Sequence, residues 1–180
     1  MNTINFFFQG TCYRANALDP HYAHKIIGLF EGTQPLPGLS FVNFIEPSKT
    51  GIDYAIKSPI ILIRFQSNVV GQLDEISFVN RKNNIKQFQI DLFDFNNNLL
   101  FSSQTIYPDS SIKIPSTNRM FVSTVQITIL NTIDNRPARG IILSIMGCFS
   151  TFPRISTTTT VTTVAVAPKT TKMTTKQPRL

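Results

Sequence analysis

The 180-residue sequence predicts an all-β fold, an antiparallel β-sandwich followed by a disordered C-terminal tail. Three observations carry that reading: short β-branched runs that alternate apolar and polar residues, turn signals about every ten residues between them, and a closing segment rich in Thr and Pro. Period-two alternation sends successive side chains to opposite faces, so one face can rest on a core while the other meets water. The Thr-rich segment offers few large apolar groups to offset the entropy lost on ordering.

Residues 1–10 hold a three-Phe cluster, Phe6 to Phe8, with no basic leader, which is not the pattern of a signal peptide. Residues 20–58 are irregular: His21 to Phe30 suit either a short helix or a strand, and Pro35, Pro37, Gly38, Pro47 and Gly51 break the rest of this stretch into loops. Pro59 to Phe65 is a continuous apolar run bounded by Pro and by a Ser67-Asn68 turn, as a buried sandwich strand requires. Leu73, Ile76, Phe78 and Val79 come next. Phe88, Ile90 and Leu92 then alternate with Gln89, Asp91 and Phe93, and Asn96 to Asn98 tolerate the positive φ of a hairpin turn. Leu99 to Phe101 restart the apolar pattern. Val125, Ile127 and Ile129 alternate with Gln126, Thr128 and Leu130, and Ile141, Leu143 and Ile145 with Ile142, Ser144 and Met146.

The chain thus divides into two regions, residues 1–150 as a β-sandwich binding domain and residues 151–180 as a Thr-rich linker or stalk. Thr157, Thr158, Thr159, Thr160, Thr162, Thr163, Thr170 and Thr171, interspersed with Pro, read as O-glycosylation sites of a mucin-like stalk; the alternative is an unmodified linker. The charge divides at the same boundary. Of 17 Lys and Arg, five lie in the tail and none of the 10 acidic residues does, so the body holds 12 basic against 10 acidic residues, a net +2, and the tail +5. Most of the basic excess thus sits on a solvated tail and not on a folded face with interleaved aromatics, which argues against nucleic acid as a partner. No stretch approaches the ~20 apolar residues of a transmembrane helix. A stalk without a leader points to one module of a longer secreted protein.

Cys12 opens the body and Cys148 closes its final strand, so a disulfide between them would tie the two ends together; the alternative is a pair of buried free thiols. Catalytic constellations are poorly supported. His21 and His24 lack a third metal-ligating partner nearby. Asp91 and Asp94, three apart on a strand, would face opposite ways and not share a glycosidase cleft. No cofactor is expected, although Asp19, Asp53 or Asp134 with loop carbonyls would suit the hard oxygen chemistry of calcium. The most suggestive polar loop runs from Asp134 to Gly140: Arg136 and Arg139 can offer planar donor forks to sugar hydroxyls, a carboxylate or a sulfate, while Pro137 and Gly140 could equally just shape a turn. Leu29 to Phe41 is a second candidate, either a ligand-facing loop or a plug for one end of the core.

Residues 119–149, a strand and a loop leading into a last strand that ends in Gly147-Cys148, resemble the close of discoidin-type (coagulation factor V/VIII type C) modules of the galactose-binding-like superfamily. Cys12 and the segment from Phe88 to Leu99 fit the same frame, so the resemblance covers about residues 10–149. It implies a jelly-roll sandwich with Cys148 paired to Cys12. The chain departs from the pattern in having no Trp after its early loops and no carboxylate near Cys148, where calcium-holding members would place one, so the resemblance stands at the superfamily level. The expected function is non-catalytic: an extracellular binding or adhesion module for a glycan, a lipid head group or a protein. Two other readings are an accessory domain of a secreted glycosidase or peptidase, and a structural module of an extracellular assembly.

Overall fold

Among the residues described by the computed structural model, namely 12–45, 51–78, 84–107, 109–115 and 120–151, the predicted alternation becomes two antiparallel sheets. The chain order is β1 (Tyr13–Asn16), α1 (Pro20–Ile26), β2 (Ile27–Gly32), β3 (Ile60–Phe65), β4 (Val69–Phe78), β5 (Ile85–Phe93), β6 (Leu99–Ile106), β7 (Ser111–Lys113), β8 (Thr124–Thr132) and β9 (Leu143–Thr151). The four-stranded sheet has the order β1-β9-β4-β7 and the five-stranded sheet β2-β3-β8-β5-β6. The expected tail disorder and the eight Thr sites from Thr157 to Thr171 lie outside the described residues, as does Val79.

The segment that suited either helix or strand is both. Asp19 caps α1 by accepting the His21 amide on its carboxylate, and Pro20, which needs no amide partner at a first helical turn, follows it. Ile27 then adopts extended backbone (φ −85°, ψ 127°), and β2 begins at once against β3. Two boundaries differ from the sequence reading. Cys148 does not close the last strand, which continues to Thr151 because Val69 and Val70 pair with Thr151 and Ser150. Ile141 stays outside β9 and instead bridges Ile52 in the long β2–β3 connection. The three-residue spacing of Leu73 and Ile76 has a structural cause as well: the register of β4 against β9 shifts between Leu73 and Glu75, and such a bulge returns both apolar side chains to the core.

The core lies between the sheets. Ile61 and Ile63 of β3, Ile90 and Leu92 of β5, and Ile127 and Ile129 of β8 are fully buried and face Ile76 of β4 and Ile145 and Phe149 of β9. Two edge-to-face aromatic pairs cross the layer, Phe65 with Phe149 at 5.5 Å and Phe78 with Phe88 at 4.5 Å. Each such pair adds about 0.5–1.5 kcal/mol beyond area burial. The first depends on Gly71: a Cβ there would stand 2.8 Å from the Phe149 ring and 3.0 Å from that of Phe65, so a side chain would push the rings apart.

Cys12 and Cys148 form a disulfide, with Cα atoms 5.4 Å apart and a sequence separation of 136. It fastens the start of β1 to β9, its neighbour in the sheet. By the chain-entropy argument a loop of that length contributes about 4–5 kcal/mol. Reduction is therefore expected to lower the guanidinium midpoint of unfolding, by an amount equivalent to several kcal/mol, and to steepen the slope as the unfolded chain expands; an unchanged midpoint would show that the bridge constrains nothing.

Candidate ligand-binding site

Strand directions sort the connections between the two ends of the sandwich. Cys12, just before β1, and Thr151, at the end of β9, share one end with the β3–β4 and β5–β6 turns. The opposite end gathers the β2–β3, β4–β5, β6–β7 and β8–β9 connections, because β8 ends and β9 begins there. Long loops on a rigid frame are where ligand chemistry usually resides.

Two of those loops brace one another. Ile52 and Ile141 exchange amide-to-carbonyl hydrogen bonds of 2.9 Å in both directions, the Tyr54 amide donates to Ala138 O, and the Ala138 amide donates to Ile56 O. The Asp53 carboxylate accepts the Gly140 amide at 2.7 Å. The approach is close enough to demand glycine at position 51. Gly51 (φ 71°) and Gly140 (φ 63°) have left-handed backbones, and a Cβ on Gly51 would sit 2.6 Å from the Gly140 carbonyl carbon. Tyr54 is wholly buried, its hydroxyl has no hydrogen-bond partner among the described residues, and burial pushes that hydroxyl's pKa well up.

The loop thus held carries the three residues singled out from the sequence. Asp134 accepts the Arg136 amide at 3.2 Å on Oδ1, and its Oδ2 lies 3.5 Å from Arg136 Nε. The Arg136 side chain is 79% exposed, so the ion pair is worth little in stability and most of its donor fork faces solvent. Arg139 is exposed too, with its backbone fixed from below. What fixes it is Asn84, just before β5, which the sequence reading missed. Its side-chain nitrogen donates to Asp134 Oδ1 (3.1 Å) and to Pro137 O (3.0 Å), and its oxygen accepts the Arg139 amide (3.0 Å). The Thr132 hydroxyl adds a 2.7 Å bond to Arg136 O, and Lys57 Nζ donates to Asn135 Oδ1 at 2.9 Å. The hydrogen bond from Asn84 is the largest influence on Asp134 and holds its carboxyl below the usual range; the Arg136 amide and guanidinium act the same way against a smaller effect of burial.

The same end exposes apolar surface: Tyr107 (61%), Ile133 (52%) and Ile56 (47%). The Tyr107 amide is anchored to Lys86 O, leaving the ring in solvent at the β6–β7 connection. No pattern in the sequence distinguished Tyr107 from a buried aromatic. The other candidates separate. Asp19 caps α1 and Asp53 braces the two loops, and among the described residues no three His, Cys, Asp or Glu side chains converge on a common point. His21 packs edge-on against Tyr22 at 4.8 Å. Asp91 and Asp94 serve different hydrogen-bond networks, Asp91 on the face of β5 with Gln89 and Ser102, and Asp94 in the following turn with the amides of Asn96 and Asn98. Of the Leu29–Phe41 stretch, Phe30 packs on Phe44 with centroids 6.0 Å apart, whereas Leu29 is exposed.

No protein-family model and no curated protein matches the chain. Solved structures do. A fucose-binding module of Streptococcus pneumoniae superposes with a TM-score of 0.52 at 10% identity, over 78% of this chain and 98% of that one. The module CpGH89CBM32-4 of Clostridium perfringens, in complex with GlcNAc-alpha-1,4-galactose, superposes with a TM-score of 0.51 at 13% identity, over 77% of this chain and 98% of that one. At such identities the likeness establishes the fold, a galactose-binding-like β-sandwich. Among the described residues no helix is long and apolar enough to cross a membrane.

Replacing Asn84 by Ala removes three bonds from the Asp134–Arg139 loop at once. The expected cost is about 1–3 kcal/mol, with loss of hydrogen-exchange protection at the Arg139 amide; retained protection would contradict the bracing role. A folded pKa below the unfolded value of about 4 means that the stabilisation from Asp134 is complete above that value and disappears as pH falls through the lower folded one. The Arg136 amide resonance should report this loss on acidification, and Asp134→Asn should abolish that titration.

Proposed function

We propose that the chain is a non-catalytic, extracellular glycan-binding module of discoidin type, and that its site is the loop end opposite Cys12 and Thr151. The observation that carries the reading is the cross-braced pair of loops that presents Arg136 and Arg139 to solvent on a galactose-binding-like sandwich. Guanidinium forks donate in pairs to vicinal hydroxyls or to a ring carboxylate, and they do so best when the backbone beneath them is already ordered. Asp134 orients Arg136 and offers an acceptor of its own. The exposed Tyr107 ring supplies an amphipathic surface for the apolar face of a sugar. The fold likeness to modules that bind fucose and GlcNAc-alpha-1,4-galactose supports a sugar as the ligand class. The disulfide supports an oxidising compartment. In this reading residues 151–180 form the stalk, O-glycosylated at Thr157 to Thr160, Thr162, Thr163, Thr170 and Thr171, that sets the module away from its neighbours.

A glycan array that includes fucosylated and GlcNAc-alpha-1,4-galactose structures tests the assignment. Binding by the wild type, weakened about tenfold or more by Arg136→Ala or Arg139→Ala (about 1.4 kcal/mol per decade), is the expected result. An array that stays silent, or a hit indifferent to both substitutions, would reject it.

A further inference from the structure

The outer face of the five-stranded sheet carries a second organised set of polar groups, which begins at Asn131 and Gln87 beside the loop site and runs away from it along the sheet. A water-facing sheet surface ordinarily mixes Lys, Glu, Arg and Thr. Over β5, β6 and β8 the outward positions include four amides, Gln87, Gln89, Gln104 and Asn131, set among Ser102, Thr128 and Ile106, and those amides are wired together. Asn131 Nδ2 donates to Gln87 Oε1 (3.1 Å), Gln87 Nε2 to Gln104 Oε1 (3.1 Å), and Gln104 Nε2 to Gln89 Oε1 (2.9 Å). Gln89 Nε2 then donates to both carboxylate oxygens of Asp91 (2.9 and 3.0 Å), which also accepts the Ser102 hydroxyl at 2.6 Å. Every donor in this chain points toward Asp91, a residue only 7% exposed although it lies on the outer side of β5, between Gln126 and Ser102 of the flanking strands.

That wiring has two consequences for a ligand. Long glutamine side chains normally lose rotamer freedom on binding, and here the ladder has already ordered them. The ladder also leaves capacity unused. Gln87 and Gln104 each spend one of two amide hydrogens and one of two oxygen lone pairs within it, so each still offers a fixed donor beside a fixed acceptor. A sugar hydroxyl, donor and acceptor at once, is the complement of such a pair. The Asp91 carboxylate at the end of the ladder is buried and already accepts from Gln89 and Ser102, and the amides give a polyanion nothing to pair with. On one side the strip is bordered by Ile60, 41% exposed, and Leu62 of β3, which pair with Thr128 and Gln126 and can meet the C–H faces of a sugar ring.

We propose that the outer face over β8, β5 and β6 is a second binding surface, which takes a neutral, extended oligosaccharide with its hydroxyls on the Gln87–Gln104–Gln89 amides. The test is a side-chain amide NMR titration of the whole chain with cellohexaose, laminarihexaose, mannohexaose, xylohexaose and maltohexaose in turn. Saturable shifts of the Gln87, Gln89 and Gln104 side-chain amides with at least one of these, while the Arg136 and Arg139 backbone amides stay still, are expected. Gln104→Ala should weaken that binding at least fivefold, and Arg136→Ala should leave it unchanged. If Gln104→Ala fails to fold, the wild-type titration decides alone. The proposal is overturned if no sugar moves the three glutamines, if only the loop amides respond, if Gln104→Ala binds as well as the wild type, or if the shifts follow protein concentration without sugar, which would make a second copy of the chain the occupant. A failure confined to the ladder leaves the loop reading intact, and the converse holds as well.

Discussion

Everything in this molecule depends on the face-to-face burial of alternate residues on β3, β5 and β8 against β4 and β9. A strand cannot bury one face without presenting the other, so each inward choice carries an outward one. Phe88, Ile90 and Leu92 enter the core, and the same geometry turns Gln87, Gln89 and Asp91 outward. The bulge in β4 and the missing side chain at Gly71 serve this packing, the first by returning Ile76 to the core and the second by leaving room for the crossed rings of Phe65 and Phe149.

The two ends of the sandwich then divide the work. At one, the disulfide locks β1 onto β9 beside the points where the described chain enters and leaves. At the other, the loops have no covalent tie among the described residues and are held by hydrogen bonds and by the burial of Ile52, Tyr54, Ala138 and Ile141, with Gly51 allowing the backbones to approach where a side chain would clash. The polar surfaces proposed as ligand sites differ in kind. The loop end has exposed cationic forks and an exposed aromatic ring, suited to discriminating a particular sugar. The sheet face has a ladder of neutral, mutually ordered amides ending on a buried carboxylate, suited to following a chain of sugars.

Most of the architecture was legible in the sequence because β alternation is a local property. The Pro59–Phe65, Phe88–Leu92 and Val125–Ile129 runs each coincide with a strand, and the Asn96–Asn98 turn holds its positive φ at Asn97. Where the local signal was weak, competing rules decided: the Asp19-Pro20 cap drew His21 to Ile26 into a helix before the partner strand claimed Ile27. Leu143 rather than Ile141 begins β9, because Ile141 found a partner across the loops in Ile52. Of the loop residues, Asp134, Arg136 and Arg139 stood out by their chemistry and do share one exposed loop.

By itself the sequence determined the fold class, the two cysteines able to close the domain and the polar loop with its two arginines, since composition, period and turn chemistry act over a few residues. Only the tertiary structure decided that Asn84 braces Pro137 and Arg139, 53 and 55 residues away, and that Gln87, Gln89 and Gln104 join into one ladder ending on Asp91. An asparagine or glutamine has the same local preferences wherever it stands. What it bonds to is set by strand order and register, which emerge only when the two sheets close on their common core.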